Sequence, residues 1–232
     1  AVDNFLTGGA GDDTLHGGPG DDLFDWSWGD NLVDPDYKGR GGSDTFLGGS
    51  GDDRYVLQGN DDTVVEYDSQ GDDWIYVDFD YSLTEAPNTE RLVALRWAEE
   101  GLRLTGNQLD NYFSGSVHND IINGAGGEDL LDSSDFRSYD VDIVHEQNGN
   151  VSLDYGGGHQ DTLISIEAIQ FSDKTLELNR ENATNTIVPR ATIVLSDGTT
   201  DFIVANSDVV LRGGSGSETV TIISGVSDVT LD

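Results

Sequence analysis

Residues 8–25 read GGAGDDTLHGGPGDDLFD, two nine-residue units back to back, each Gly-Gly-x-Gly-Asp-Asp-x-apolar-x. Nothing in this stretch favours folding by itself. Its paired aspartates repel one another, and glycine loses more backbone entropy on ordering than any other residue. A stabiliser from outside the chain is required, and the rest of the sequence shows how often.

The nine-residue register continues outward. WSWGDNLVD (26–34) follows directly. After PDYK come GRGGSDTFL (39–47), GGSGDDRYV (48–56) and LQGNDDTVV (57–65), and after two further residues DSQGDDWIY (68–76). A later set is GNQLDNYFS (106–114), GSVHNDIIN (115–123) and GAGGEDLLD (124–132). Across these ten units the sixth position is Asp13, Asp22, Asn31, Asp44, Asp53, Asp62, Asp73, Asn111, Asp120 and Asp129. The eighth is Leu15, Phe24, Val33, Phe46, Tyr55, Val64, Ile75, Phe113, Ile122 and Leu131, apolar or aromatic every time. An acidic linker has no reason to hold its acids in phase with an apolar residue two positions on.

The early glycines of each unit allow a tight turn at positive φ. Positions 7–9 are too short for a helix but suit a three-residue strand with position 8 facing inward. Two units then make one coil, and stacked coils bring turns of units n and n+2 together. Carboxylate and carbonyl oxygens line the gap between stacked turns. That environment suits a hard cation with six to eight oxygen ligands. Calcium fits; zinc prefers nitrogen and sulfur, and magnesium demands a stricter octahedron and keeps its water.

These units resemble the GGxGxDxUx nonapeptide of the repeats-in-toxin (RTX) family, completely at 8–16, 17–25 and 48–56 and partially elsewhere. The resemblance implies an all-β fold, a calcium-stacked parallel β-roll, in a protein exported by type I secretion machinery. It also implies metal ligands: the position-6 side chain, and backbone carbonyls near positions 1 and 3. Here these are Gly8, Ala10 and Asp13; Gly17, Pro19 and Asp22; Gly48, Ser50 and Asp53. The position-6 residues Asn31, Asp44, Asp62, Asp73, Asn111, Asp120 and Asp129 extend the set. Asn31 and Asn111 offer an oxygen without charge, so their sites are expected to be weak or empty. Leu57 and Gln58 replace the glycines of their unit, which disturbs that turn.

Composition agrees. With 45 acidic and 11 basic residues the net charge is −34, which excludes nucleic acid and anionic membrane surfaces as partners. The chain has no cysteine, so neither disulfides nor thiolate metal sites can staple it. Hydrophobic residues make up 35% of it, which argues against a disordered acidic tail. No apolar run reaches the length of a membrane span. The absence of methionine predicts a piece of a longer chain.

The expected organisation is a first roll block at 1–76, a connector at 77–105, a second block at 106–132, a strand-rich cap at 133–180, a linker at 181–190 and a further β segment at 191–232. In the connector, RLVALRWAEEGLRL has helical propensity, but its alternation favours strands. The cap, from SYDVDIVHEQ to KTLEL, is read as antiparallel strands, with GGGHQD as one of its turns; DTLISIEAIQFSD resembles the cap that follows RTX blocks. GGSGSETVT (213–221) fits the nonapeptide with Glu218 at position 6, yet a plain hairpin is the simpler reading.

No HExxH, GxSxG or P-loop pattern occurs, and paired carboxylates are too common here to mark catalysis; the chain is read as no enzyme. His16 and His118 read as solvated repeat residues. Trp26, Trp28 and Tyr37, beside several aspartates, form a candidate platform for a sugar, against a simpler role of covering a defect in the roll. Asp34-Pro35 resembles the bond cut in self-processing RTX proteins, but a lone Asp-Pro is commonly just a turn. The expected setting is secreted, extracellular or cell-surface. Three roles compete: a structural, secretion-assisting part of an adhesin-like protein; the noncatalytic module of a secreted protease, lipase or epimerase; or a calcium-dependent binder of extracellular glycans. Strand-rich sequence after residue 190 favours the first.

Overall fold

A computed structural model describes residues 1–9, 11–25, 42–57, 59, 61–146 and 148–178, and the backbone of six strands between 186 and 231. Ala10, Asn31, Gln58, Trp26, Trp28, Tyr37 and the Asp34-Pro35 bond lie outside the described residues.

Nearly all regular structure is β. The first part of the chain forms β1 (Phe5–Leu6), β2 (Thr14–Pro19), β3 (Leu23–Phe24), β4 (Thr45–Ser50), β5 (Arg54–Val56), β6 (Thr63–Val65) and β7 (Trp74–Val77). Next come β8 (Tyr81–Ser82), β9 (Arg91–Ala94), β10 (Arg103–Thr105), β11 (Tyr112–Ser114), β12 (Ile121–Asn123) and β13 (Leu130–Ser133). The connector therefore continues as strands, and RLVA is β9 rather than a helix. A single 3-10 turn, Ser138–Asp140, precedes β14 (Asp142–His145), β15 (Val151–Gly156), β16 (His159–Ile164), β17 (Ala168–Phe171) and β18 (Thr175–Glu177). No helix among the described residues is long and apolar enough to cross a membrane.

Strands alternate between two faces. One face is a nine-stranded sheet in the order β1-β3-β5-β7-β9-β11-β13-β17-β18. The other begins as β2-β4-β6 and resumes as β8-β10-β12-β16-β15-β14. Pairing is parallel through the repeats: Tyr112 lies opposite Leu130, Thr45 opposite Thr63 and Arg103 opposite Ile121, each 18 residues on. Eighteen residues are two nonapeptides, so each coil is two units, as the register requires.

Two coils are longer. Thr14 pairs with Thr45 and Leu23 with Arg54, steps of 31 residues, so the second unit stacks directly on the fifth. Leu130 pairs with Ala168, and the 38-residue step holds the antiparallel strands β14 and β15. The cap is thus one more coil, β16 on β12 and β17 on β13, edged by antiparallel β15 and β18. Covering a sheet edge in this way limits edge-to-edge pairing with other chains.

Position 8 fills the space between the faces. Phe24, Tyr55, Ile75, Leu92, Phe113, Leu131 and Ile169 line one wall, and Phe46, Val64, Leu104, Ile122 and Leu163 the other, all buried in one cluster. Phe24 stacks on Tyr55 at 5.0 Å between ring centroids and meets Phe46 across the core at 5.7 Å.

Beyond the cap, β19 (Thr186–Val188) falls within the stretch read as a linker and pairs antiparallel with β14. From there β19, β21 (Phe202–Val204) and β23 (Val220–Ile222) pair parallel, as do β20 (Thr192–Val194), β22 (Val209–Arg212) and β24 (Val229–Leu231). The hairpin expected at 213–221 is not formed: β23 is parallel to β21, with Phe202 opposite Val220, again 18 residues on. Alternating apolar residues bury one face of either arrangement equally well, so alternation alone did not separate them.

Candidate metal centres

Each position-6 carboxylate faces its own turn and the next coil at once. Its Oδ1 accepts the backbone N–H of the position-6 residue one coil earlier. Asp22 Oδ1 takes Asn4 N–H at 2.7 Å, Asp53 Oδ1 takes Asp22 N–H at 2.7 Å, and Asp73 Oδ1 takes Asp53 N–H at 2.8 Å. The column continues as Asp73 N–H to Glu90 Oε2, Asn111 N–H to Asp129 Oδ1 and Asp129 N–H to Glu167 Oε2. On the opposite edge Asp13 N–H donates to Asp44, Asp44 N–H to Asp62, and Asp120 N–H to Asp161. Position-5 acids run the other way: Asp21 Oδ1 accepts Asp52 N–H, and Asp52 Oδ1 accepts Asp72 N–H, each at 3.0 Å. The sequence-predicted acids thus satisfy backbone donors that strands this short leave over.

The second oxygen has a different environment. Oδ2 of Asp13, Asp22, Asp53 and Asp129 is buried with no hydrogen-bond partner among the described residues. Each points at the position-1 glycine of its own unit. A Cβ on Gly8, Gly17, Gly48 or Gly124 would collide with Oδ2 of Asp13, Asp22, Asp53 or Asp129 respectively. The next coil supplies more oxygen: Gly48 carbonyl beside Gly17, and Ser165 carbonyl beside Gly124. A buried carboxylate oxygen without a donor is costly, and one facing a carbonyl oxygen more so. A cation relieves both. These residues fit calcium, which takes carboxylate and backbone-carbonyl oxygen together.

Other residues proposed from the sequence are arranged differently. The position-3 carbonyls of Pro19 and Ser50 already accept Val2 N–H and Gly20 N–H, leaving one lone pair each. Asp120 Oδ2 takes Ser116 N–H, and its Oδ1 takes Ser116 Oγ and Leu102 N–H, so this carboxylate is satisfied by its own turn and a neighbour. Asn111 Oδ1 accepts Asn107 N–H, while its Nδ2 donates to Glu90 carbonyl and Asn107 Oδ1. An amide there supplies donors between oxygens where the aspartate units have none.

Four ladder residues were not read from the sequence as repeat positions. Glu90, Asp161 and Glu167 each precede a buried residue, Leu92, Leu163 and Ile169, by two. GGGHQDTLI (156–164) is itself a nonapeptide by glycines, acid and apolar residue. The fourth, Glu66, is 7% exposed and accepts a hydrogen bond from the Tyr55 hydroxyl. Its carboxylate lies with those of Asp53 and Asp73, one oxygen from each within 4.8 Å of the others. Like charges at that spacing repel by roughly 3–4 kcal/mol per pair at an effective dielectric of about 20. Burial is the main reason that Asp53 is pushed up to about 6, Glu66 to about 7 and Asp73 to about 8, with neighbouring carboxylates adding to it. Burial likewise pushes Asp129 up to about 7.

The histidines form no centre of their own. His16 is exposed. His159 stacks on Tyr155 at 4.4 Å and places Nε2 3.2 Å from Asp161 Oδ1.

Compared with known families, residues 2–33, 37–64 and 103–136 match the RTX calcium-binding nonapeptide repeat (4 copies). No curated protein and no solved structure matches the chain. Register, cradle and family match coincide, and these three segments are RTX calcium-binding nonapeptide repeats within a nearly all-β chain of mostly parallel strands.

Proposed function

We propose that this chain is an extracellular calcium-binding module that folds on binding calcium after type I secretion, and that it serves as a structural, secretion-assisting part of a larger secreted or surface protein. It carries no catalysis of its own in this reading. The observation that supports it is the set of buried, unpartnered Oδ2 atoms of Asp13, Asp22, Asp53 and Asp129, each in a cradle closed to any Cβ. The bound ion would meet carboxylate and carbonyl oxygens there and cancel their repulsion. Metal-binding energy then becomes folding energy. Extracellular calcium modules bind at roughly 0.1–1 mM, so such a chain stays expanded in calcium-poor cytosol and orders outside.

Calcium titration by calorimetry tests the assignment residue by residue. Asp22→Asn and Asp129→Asn are each expected to remove one ion from the stoichiometry. Asp120→Asn, whose carboxylate already has donors from Ser116 and Leu102, should leave the count unchanged. A parent chain that takes up no calcium at millimolar concentration overturns the proposal.

A further inference from the structure

One cradle differs from its neighbours. Beside Gly17 and Gly124 the oxygen arriving from the next coil is a backbone carbonyl, of Gly48 and Ser165. Beside Gly48 it is the carboxylate of Glu66. Glu66 is the first of the two residues that interrupt the nonapeptide register between 65 and 68, so the repeat pattern assigns it no role. Its insertion exchanges a neutral oxygen for a charged one.

The three acids at this point are buried: Asp53 is fully buried, Asp73 is 1% exposed and Glu66 7%. Two of their oxygens, Asp53 Oδ2 and Glu66 Oε2, have no hydrogen-bond partner among the described residues. Glu66 Oε1 is held by the Tyr55 hydroxyl, which fixes the orientation of the carboxylate. The ion pairs formed by described Lys, Arg and His residues do not involve any of the three acids. The pocket is therefore oxygen-lined, triply acidic and without protein countercharge, whereas the cradle at Gly124 offers one carboxylate and one carbonyl.

We propose that Asp53, Glu66 and Asp73 form a three-carboxylate centre for a hard divalent cation, calcium first, and that Glu66 makes it the tightest site of the roll. The inference rests on the calcium reading above and goes beyond it in assigning a ligand from outside the repeat and an order of filling. Ligand charge count tunes calcium affinity over several decades, so the centre with the most carboxylates fills first. It lies between β5 and β7 on one face and β6 on the other, so the first ion would tie both faces together there.

The test is a calcium titration by calorimetry, with ion count followed by native mass spectrometry, on the parent, Glu66→Gln and Glu66→Gly. Glutamine keeps the size and an acceptor for Tyr55; glycine removes the side chain and stands as the second variant should glutamine disturb the fold. Far-ultraviolet circular dichroism at saturating calcium checks that each is folded. The parent should show one binding step tighter than the rest. Both variants should weaken that step by roughly ten-fold or more and keep the remaining steps. Asp129→Asn, in a cradle with one carboxylate, should retain the tight step. A Glu66→Gln chain whose tightest step equals the parent's overturns the inference, as does a parent whose ions all bind with one affinity. A parent that binds no calcium fails differently, because it removes the proposed function itself.

Discussion

A position-6 aspartate in this chain divides its work between two oxygens. Oδ1 takes a backbone N–H from the preceding coil, while Oδ2 is turned towards a glycine and has no donor. The glycine is needed for space: a Cβ on Gly124 would overlap both Asp129 Oδ2 and Ser165 carbonyl. Gly124→Ala is therefore expected to cost about 1–3 kcal/mol, read from urea unfolding in saturating calcium. Gly49 is needed for conformation as well, since its φ is +115° and its Cβ would strike Gly18 carbonyl. Protonation offers a second probe. Asp53, Glu66 and Asp73 have folded pKa values of about 6, 7 and 8 against ordinary values of 3.8, 4.5 and 3.8. The ion-free fold thus binds protons more tightly than the unfolded chain does. That contribution to stability is fully present below about pH 4 and is lost as pH rises through 6 to 8. In chelator, β-structure followed by circular dichroism should increase on acidification from pH 8 towards pH 4. In calcium the trend reverses over the same window, because protons compete with the ion, and affinity should fall as pH drops below about 8. The sequence showed the phase of aspartate and apolar residue, which locates the cradles. It did not show that Asp120 and Asn111 find protein partners, because Ser116 and Asn107 become donors only in the folded turn.

At the scale of strands, three-residue segments are held by what flanks them. The outer face of the nine-stranded sheet carries Arg91 between two rings, 4.5 Å from Trp74 and 4.9 Å from Tyr112. Its Nε donates to Asp72 Oδ1 at 2.6 Å and its Nη2 pairs with the other oxygen, a bidentate contact. This group joins β7, β9 and β11 across a part of the ladder where the connector has no nonapeptide. Arg91→Ala should cost about 1–2 kcal/mol, and Arg91→Lys should recover only part of it, since lysine lacks the planar fork. Stability in saturating calcium reads both. That the connector forms strands was legible in its alternation. Parallel pairing after residue 190 was not, because those strands have the same alternation as hairpins, and their 18-residue spacing lacks a run of complete glycine turns to mark it. GGGHQD was read as a plain turn; it is one, with Gly156, Gly157 and Gly158 all at positive φ, and it also delivers Asp161 to the ladder.

Over the whole molecule, a net charge of −34 opposes compaction, and the apolar wedge between the faces is one residue deep at each strand. The acids that dominate this charge are also the residues that close the coils, so the same groups repel the chain open or hold it shut according to whether cations are present. Chain dimensions with and without calcium are the most direct measure of this. Small-angle scattering of the monomer in chelator at pH 7.5 should give a radius of gyration towards about 50 Å, the scale of an unfolded chain of this length. Addition of millimolar calcium should bring it close to about 20 Å, with β-structure appearing by circular dichroism at the same concentration. A chain that is equally compact and equally β-structured in chelator and in calcium would contradict the claim that calcium supplies the folding energy.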